Sequence, residues 1–219
     1  MKRFISLFLS VILLTSSLFS LSACKGKEDK KEGSDANFID ISDLNFTPED
    51  GKCYAVIAVK DFGKIVVELL PDYAPITVEH FINVVNSGFY SGTTFHRILS
   101  DFMIQGGAPK SGSASVSPIV GEFYANGYTY NTLSHSRGVI SMARTGVMDS
   151  ATTQFFICNA DYPSLNGQYA AFGIVIIGMD VVDAITEHGM QYTSRYQNGI
   201  IYDESKQPVI EKAMIIDKR

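Results

Sequence analysis

Short apolar runs, rich in β-branched residues and separated by turn residues, dominate the chain beyond residue 53. Runs of about four to eight such residues, bounded by Gly, Pro, Asn or Asp, predict β-strands. They fall at residues 54–59, 65–70, 93–98, 102–106, 139–143, 154–158, 172–177, 201–202 and 212–216. The first two runs flank the turn sequence DFGK at residues 61–64 and are therefore predicted to form a hairpin.

Two stretches follow the helical period instead. The first begins near Pro75, ends before Gly88 and has an apolar stripe at helical spacing, formed by Val78, Phe81, Ile82 and Val85. This pattern predicts that His80 lies on the solvated face. The second follows Gly178 and carries Met179, Val182, Ala184 and Ile185. About eight strands and two helices predict a mainly β fold, a closed eight-stranded antiparallel β-barrel capped by two α-helices, because closure removes exposed sheet edges.

Residues 1–23 form an apolar leader. Lys2 and Arg3 precede an almost continuous run of Phe, Ile, Leu, Val and Ser, the pattern of a secretory signal peptide. A retained transmembrane helix is the alternative, although the run is barely long enough to span a bilayer. The leader ends in LSAC at residues 21–24, which resembles the bacterial lipobox. That resemblance implies a lipoprotein signal peptide, lipidation of Cys24 and an extracytoplasmic protein anchored to the bilayer of the bacterial cell membrane.

The residues after Cys24 differ in composition from both neighbours. Residues 25–35 consist almost entirely of Lys, Glu, Asp, Gly and Ser, which cannot bury a core. We therefore expect a lipid-anchored flexible tether at 24–50 and one folded domain at 51–219. Residues 38–50 are transitional, and five of their apolar side chains are candidates for packing on the domain: Phe38, Ile39, Ile41, Leu44 and Phe46.

Composition narrows the class of protein. Of the 219 residues, 46% are hydrophobic and 19% charged, and the formal net charge is -5. The apolar fraction is too high for a disordered chain. Nucleic acid is excluded as a partner, because a nucleic-acid binder needs clustered Lys and Arg to neutralise phosphates.

Several common kinds of site have no support in the sequence. Neither GxSxG nor HExxH occurs, no Cys/His cluster has zinc spacing, and no phosphate-binding loop is present. The sequence therefore predicts no metal site. Cys53 and Cys158 could pair in an oxidising compartment, but both sit in apolar runs, which favours two buried free thiols. His96 and His135 are interpreted as structural residues.

Residues 95–107, FHRILSDFMIQGG, are chemically unusual. They place an arginine, two apolar residues and a glutamine on two strands joined by a short turn. Arg97 offers five donors and does not titrate. Alternation puts Met103 and Gln105 on one face, and Phe102 on the other unless the turn rotates it. On chemistry alone, a binding site and a core hairpin with a salt-bridged arginine remain equally open.

The stretch FHRILSDFMIQGG resembles the signature of cyclophilins, the peptidyl-prolyl cis-trans isomerases. Three later segments agree in the same order: RGVISMAR at 137–144, TQFFI at 153–157 and LNGQYAAFG at 165–173. The RGVISMAR and LNGQYAAFG segments are more similar to bacterial members of the family than to eukaryotic ones. The resemblance implies a cyclophilin-like fold, proline-containing polypeptides as substrates, assistance in protein folding, no cofactor and a monomeric barrel.

The resemblance also implies roles residue by residue. Catalytic roles fall on Arg97, Phe102 and Gln105. Substrate-binding roles fall on Met103, Ala143, Arg144, Gln154, Phe156, Leu165 and Tyr169. In this scheme Arg97 hydrogen-bonds around the prolyl amide and favours its twisted state, while apolar residues form a cup for the proline ring.

One position departs from the family. Eukaryotic members carry a tryptophan that donates a hydrogen bond to the inhibitor cyclosporin, where this chain has Ser164 and no tryptophan at all. This predicts weak cyclosporin binding with catalysis retained. Two other hypotheses for the function are a non-catalytic proline-peptide-binding envelope lipoprotein and a purely structural lipoprotein. The intact Arg97, Phe102 and Gln105 argue against the first.

Overall fold

The computed structural model describes residues 38–219. The predicted leader, Cys24 and the first part of the tether lie outside the described residues. The α-helices are α1 (Pro75–Asn86) and α2 (Met179–Met190). The strands are β1 (Cys53–Val59), β2 (Gly63–Leu69), β3 (Phe95–Leu99), β4 (Met103–Gly106), β5 (Val139–Met142), β6 (Phe155–Cys158), β7 (Ala171–Ile177) and β8 (Ile210–Asp217).

The strands form one antiparallel sheet in the order β3-β4-β6-β5-β7-β2-β1-β8. The mainly β class, the two helices and the β1–β2 hairpin are therefore confirmed. Backbone hydrogen bonds also join the two ends of this order. The Ile210 N–H donates to the Thr93 carbonyl at 2.8 Å, and the Phe95 N–H donates to the Pro208 carbonyl at 2.9 Å.

Alternation along the strands sends one set of side chains into a core shared with both helices. Phe81 of α1 lies at the centre of this core, with its ring centroid 5.0 Å from that of Phe172 and 5.7 Å from that of Phe155. Gly88 follows α1 at φ +74°, a conformation that glycine adopts at little cost. Cys53 and Cys158 are both buried and free, as predicted.

Residues 38–50, which we call the N-terminal strap, pack on the outer face of β1, β2 and β8. Ile39 is buried with Tyr54, Val56 and Val66 in a second apolar cluster. Phe46 meets the Tyr54 ring edge-on, with ring centroids 5.1 Å apart. The strap therefore covers apolar surface that the core does not use.

Two expectations were wrong. Residues 201–202 are not a strand, although Ile201 is buried and its N–H donates to the His96 carbonyl. His80 is not solvated but half-buried, and its Nε2 contacts the Thr152 carbonyl. In both cases a tertiary contact overrides what the local pattern suggests. Within residues 38–219, neither helix is both long enough and apolar enough to cross a bilayer.

Candidate functional site

The register of three strands assembles the candidate site. Arg97 of β3 pairs with Gln105 of β4, which in turn pairs with Phe156 of β6. A register shift in β3 lies between Phe95 and Arg97. Side chains one position along, such as Ile104, belong to the core instead. The outer face of β3, β4 and β6 therefore presents a guanidinium, an amide and an aromatic ring side by side.

These side chains line a cavity of about 280 Å³. Its walls are Arg97, Phe102, Met103, Gln105, Ala143, Arg144, Phe156, Leu165, Tyr169 and Asn198. Every catalytic or substrate-binding residue predicted from the sequence lines this cavity except Gln154, while the predicted lipidation residue Cys24 lies outside the described residues. Gln154 lies beside the cavity, in an adjoining one of about 140 Å³ that shares Gln105, Ala143 and Arg144.

Phe102 enters the site through the turn before β4. Asp101 adopts φ +57° in this turn, and the Phe102 ring then lies against that of Tyr162, with centroids 4.3 Å apart. The Arg97 Cζ lies 5.9 Å from the Phe102 ring centroid. The turn before β4 therefore rotates Phe102 towards the cavity, a point that strand alternation alone did not decide.

Arg97 is held by neutral acceptors. Its Nη1 donates to Gln105 Oε1 at 3.0 Å, its Nε to the Asn198 carbonyl at 2.9 Å, and its Nη2 to Asn198 Oδ1 at 3.0 Å. Gln105 extends this hydrogen-bond network, since its Nε2 donates to Gln154 Oε1 at 2.9 Å. In the described part of the chain no carboxylate forms a salt bridge with Arg97. The alternative of a salt-bridged arginine in a core hairpin is therefore wrong.

The floor of the cavity is apolar. Met103, Phe156 and Cys158 form a small buried cluster on which Leu165 and Tyr169 pack. The Tyr169 ring meets Phe156 edge-on at 5.8 Å between centroids. This floor excludes water from one side of anything bound above it.

His135 supports that floor from behind. Its ring stacks on Phe156 at 6.0 Å between centroids. Its two ring nitrogens lie 3.2 Å from Asn166 Oδ1 and 3.1 Å from Ser141 Oγ. The ring is buried and does not line the cavity, in keeping with the structural role predicted for it.

Arg144 closes the opposite wall. Its guanidinium lies over Tyr169 at 4.7 Å and Phe123 at 5.0 Å from the ring centroids. Its Nε and Nη2 donate to the Gln168 carbonyl. Two guanidinium groups therefore line the cavity, and no acidic side chain does so among the described residues.

Burial sets the protonation states around the site. It lowers the pKa of Arg97 from 12.5, and a guanidinium still keeps its proton at any ordinary pH. Burial likewise lowers the pKa values of His96 and His135 from 6.5, which favours their neutral forms. His96 lines a second cavity together with Thr94 and Lys110 and does not line the cavity beside Arg97.

The sequence reasoning missed Asn198. It belongs to a loop between α2 and β8, in an Asn-Gly pair that signals a turn. That signal predicts a loop but not where the loop packs. The contact with Arg97 spans about a hundred residues of chain and becomes visible only in the fold.

Comparison with known proteins gives one family. The model of the cyclophilin type peptidyl-prolyl cis-trans isomerases matches residues 54–206. Peptidyl-prolyl cis-trans isomerase A of Dickeya dadantii is 42% identical over 171 residues, covering 74% of this chain and 85% of the relative. Peptidyl-prolyl cis-trans isomerase B of Escherichia coli is 36% identical over 167 residues, covering 71% of this chain and 95% of the relative.

Solved structures agree in fold. A Cryptosporidium parvum cyclophilin type peptidyl-prolyl cis-trans isomerase, crystallised in the presence of the dipeptide Ala-Pro, superposes with a TM-score of 0.61 at 25% identity. The match covers 75% of this chain and 99% of that one. Cyclophilin AquaCyp293 of Hirschia baltica gives a TM-score of 0.60 at 22% identity, covering 74% and 76% of the two chains.

Proposed function

The chain belongs to the cyclophilin-type peptidyl-prolyl cis-trans isomerases, and we propose on that premise that it binds proline in the 280 Å³ cavity and isomerises the preceding peptide bond there. The observation that carries this assignment is the cationic Arg97 fork held beside an apolar floor. An X-Pro bond faces a barrier of roughly 18–20 kcal/mol and exchanges in tens to hundreds of seconds without a catalyst.

Rotation requires no nucleophile, metal ion or proton transfer. The barrier comes from amide resonance, and twisting the bond localises a lone pair on the proline nitrogen. A site lowers the barrier if it stabilises that twisted state more than the planar one. Three of the five Arg97 N–H groups are used by Gln105 and Asn198, which leaves two for the substrate.

The apolar residues supply the other half of the effect. Phe102, Met103, Phe156 and Leu165 form the cup for the proline ring and strip water from the amide. A drier surrounding strengthens the interaction with Arg97, because the effective dielectric constant falls. Proline also fits this cup without losing side-chain rotamer freedom.

Gln105, Ala143 and Arg144 orient the peptide main chain. The hydrogen bonds on either side of the Gln105 amide, to Arg97 and Gln154, fix which end donates and which accepts. Ala143 and Arg144 follow directly after β5 along the cavity wall, where an extended peptide can pair with their backbone. Tyr169 completes the wall, with Gln154 as a polar support.

Substrates are flexible, proline-containing segments of exported proteins, bound weakly through one proline and its neighbouring backbone. The Ala-Pro dipeptide used with the Cryptosporidium parvum relative supports this substrate class. Isomerisation at such bonds is a slow step in folding, so the enzyme would assist folding outside the cytoplasm. We expect it to act as a monomer, since every residue assigned a role in catalysis or substrate binding comes from one chain.

Turnover of a short Ala-Pro peptide by the wild type and by Arg97→Ala tests the assignment. Losing the guanidinium should lower kcat/KM by about a hundredfold or more, since a charged hydrogen bond made in the transition state is removed. Arg219→Ala serves as the matched control, because Arg219 pairs with Asp217 at the chain end, away from the cavity. A wild type that binds the peptide without turning it over would make the chain a binding module instead.

The leader supports a membrane-anchored location outside the cytoplasm. The apolar run at residues 4–21 and the LSAC sequence support cleavage before Cys24 and acylation of that cysteine. Each buried acyl CH₂ contributes about 0.8 kcal/mol of membrane-binding free energy, so two or three acyl chains anchor the protein firmly.

Mass spectrometry of the membrane fraction should find a diacylglycerol adduct on Cys24. Recovery of Cys24→Ser in the soluble extracytoplasmic fraction is expected, and an unmodified wild-type Cys24 would contradict the anchor.

The closed form of the barrel is also part of the proposal. The bonds from Ile210 to Thr93 and from Phe95 to Pro208 support it, because they connect the two edge strands of the sheet. Slow hydrogen exchange at these two amides, comparable with that in β1, is the expected signature. Exchange as fast as at an exposed strand edge would mean that the sheet stays open.

A further inference from the structure

The loop between α2 and β8 is fastened to the strand that carries Arg97. The Ile98 N–H donates to the Gly199 carbonyl at 2.7 Å. A side chain at Gly199 would place its Cβ 2.6 Å from the Ile98 carbonyl oxygen and from Leu99 Cγ. Glycine therefore allows the loop backbone to approach β3 closely, and the residue before it is placed accurately against Arg97.

Asn198 uses that position to hold the guanidinium from one edge. Its carbonyl accepts from Arg97 Nε and its Oδ1 accepts from Arg97 Nη2, so two parallel hydrogen bonds fix the plane of the fork. Asn198 itself adopts φ +53°, a left-handed conformation that asparagine tolerates better than most residues. Gln105 holds Nη1, leaving the rest of the fork directed at the cavity.

The partners of Arg97 are amide oxygens and not carboxylates. A carboxylate in the same place would bind the guanidinium more strongly, but it would also cancel much of the charge. Opposite charges within hydrogen-bond distance attract each other strongly at the low effective dielectric constant of a partly buried site. A neutral clamp therefore gives orientation without cancelling the charge that the twisted amide needs.

We propose that Asn198 is a positioning residue for isomerisation, which orients the Arg97 fork through uncharged acceptors and so leaves its positive charge free for the substrate. The inference rests on the catalytic role proposed for Arg97. It assigns to the loop before β8 a function in catalysis that burial and periodicity do not suggest. Asn198 acts through Arg97 and does not itself need to touch the substrate.

Two variants of Asn198 separate the orientation of the Arg97 fork from its charge. Both introduced residues, glycine and aspartate, tolerate a left-handed backbone. Asn198→Gly removes the Oδ1 acceptor without adding strain at φ +53°. Asn198→Asp keeps an acceptor of the same shape but adds a negative charge. Gln197→Ala is the matched control, because Gln197 is an exposed neighbour in the same loop whose side chain makes no hydrogen bond with Arg97.

The full-length protein is assayed for kcat and KM on an Ala-Pro peptide. Asn198→Gly should lower kcat by about tenfold with KM changed less than about twofold, since a hydrogen bond that orients a charged group is lost. Asn198→Asp should lower kcat by at least as much, although its fork geometry is kept. Gln197→Ala should match the wild type, and the Arg97 Nε–H signal in a ¹⁵N NMR spectrum should shift in both Asn198 variants only.

The Arg97→Ala background completes the test. If Asn198 acts through Arg97, Asn198→Gly adds no further loss of kcat there. Wild-type kcat in Asn198→Gly, an additive loss in the double variant, or wild-type kcat in Asn198→Asp would each overturn the inference while leaving the role of Arg97 intact. Full activity of Arg97→Ala alone would instead remove the proposed catalytic site itself.

Discussion

At the scale of single residues, the site depends on a charge that does not titrate. The Arg97 guanidinium keeps its proton even though burial lowers its pKa. Burial also moves the pKa values of His96 and His135 downward from 6.5, to the acid side of neutrality. Above that point both histidines stay neutral, so raising the pH removes no proton from any group assigned to the reaction.

The expected pH profile follows directly. We predict that kcat/KM is nearly flat between about pH 6 and pH 9, because Arg97 is charged and the histidines are neutral throughout most of that range. Initial rates on an Ala-Pro peptide in buffers of constant ionic strength would measure it. A bell-shaped profile with a pKa inside this range would point to acid–base catalysis by a histidine.

Ser164 sets a second expectation for a single residue. It lies exposed in the short 3₁₀ turn Pro163–Leu165. The sequence resemblance aligns it with the cyclosporin-binding tryptophan of eukaryotic cyclophilins. A serine offers neither the indole N–H nor its apolar area, so cyclosporin should bind weakly while turnover stays normal. Ser164→Trp should tighten binding by about tenfold or more, because a large aromatic contact and one hydrogen bond are added.

Isothermal titration calorimetry with cyclosporin compares the wild type with Ser164→Trp. Ser164→Ala is the control, because it changes the same position without adding an aromatic ring. Peptide turnover is measured on the same samples, so that a loss of folded protein is not taken for a loss of affinity. A nanomolar dissociation constant for the wild type would show that the indole is dispensable.

Some contacts in the site could be predicted from the sequence and others could not. The resemblance to cyclophilins indicated every cavity-lining residue except Asn198, and the register of the hairpin and its partner strand explains how Arg97, Gln105 and Phe156 come side by side. Asn198 and the aromatic contacts of Arg144 with Phe123 were not foreseen. Both depend on loops brought together by the fold, and loop sequences carry no periodic signal that names a distant partner.

At the scale of elements, the apolar pattern predicted which residues are buried better than it predicted which segments pair as β-strands. The runs that became β1 to β8 differ from their predicted bounds by at most two residues at each end. The run at 201–202 was wrong as a strand because a buried side chain does not require a continuous hydrogen-bonded ladder. The same limit explains His80, whose helix position was right but whose partner, the Thr152 carbonyl, comes from another segment.

Helix α2 gives a prediction at this scale through its contact with β3. A Cβ on Gly189 would lie 2.6 Å from Ile98 Cδ1 and 2.8 Å from Ile98 Cβ, next to Arg97 in the strand. Gly189→Ala gains about 1 kcal/mol of helix propensity, but overpacking of this kind costs about 1–3 kcal/mol. Because Ile98 Cβ cannot move without its strand, we expect a cost near the upper end of that range and a net destabilisation of up to about 2 kcal/mol.

Urea unfolding followed by circular dichroism measures this change. Ala184→Gly is the comparison, since Ala184 is exposed on the same helix and should lose about 1 kcal/mol from propensity alone. Gly189→Ala should also lower kcat/KM, because any displacement of β3 moves Arg97. An increase in the free energy of unfolding would mean that α2 moves away from the strand without penalty.

At the scale of the whole molecule, the N-terminal strap and the active site occupy different parts of the sheet. The strap packs on the outer face of β1, β2 and β8, whereas the cavity is built on β3, β4 and β6 together with residues 143–144, 165–169 and Asn198. In the strand order, β5 and β7 separate these two groups on one side. On the other side β8 meets the edge of β3 through the Ile210 and Phe95 hydrogen bonds, but no strap residue lines the cavity. Stability and catalysis should therefore respond separately to loss of the strap.

Two truncated proteins test that separation. A chain that begins at Phe38 keeps the strap, and one that begins at Gly51 exposes the cluster around Tyr54, Val56 and Val66. Burying one such apolar side chain contributes about 1.5–3 kcal/mol, so the shorter chain should melt several degrees lower by calorimetry and aggregate more readily on heating. Its kcat/KM at 25 °C should equal that of the longer chain, because no strap residue contacts the cavity. Equal melting temperatures would place the domain boundary at residue 51, whereas a loss of turnover in the folded shorter chain would mean that the outer face of β1, β2 and β8 is coupled to Arg97 through the sheet.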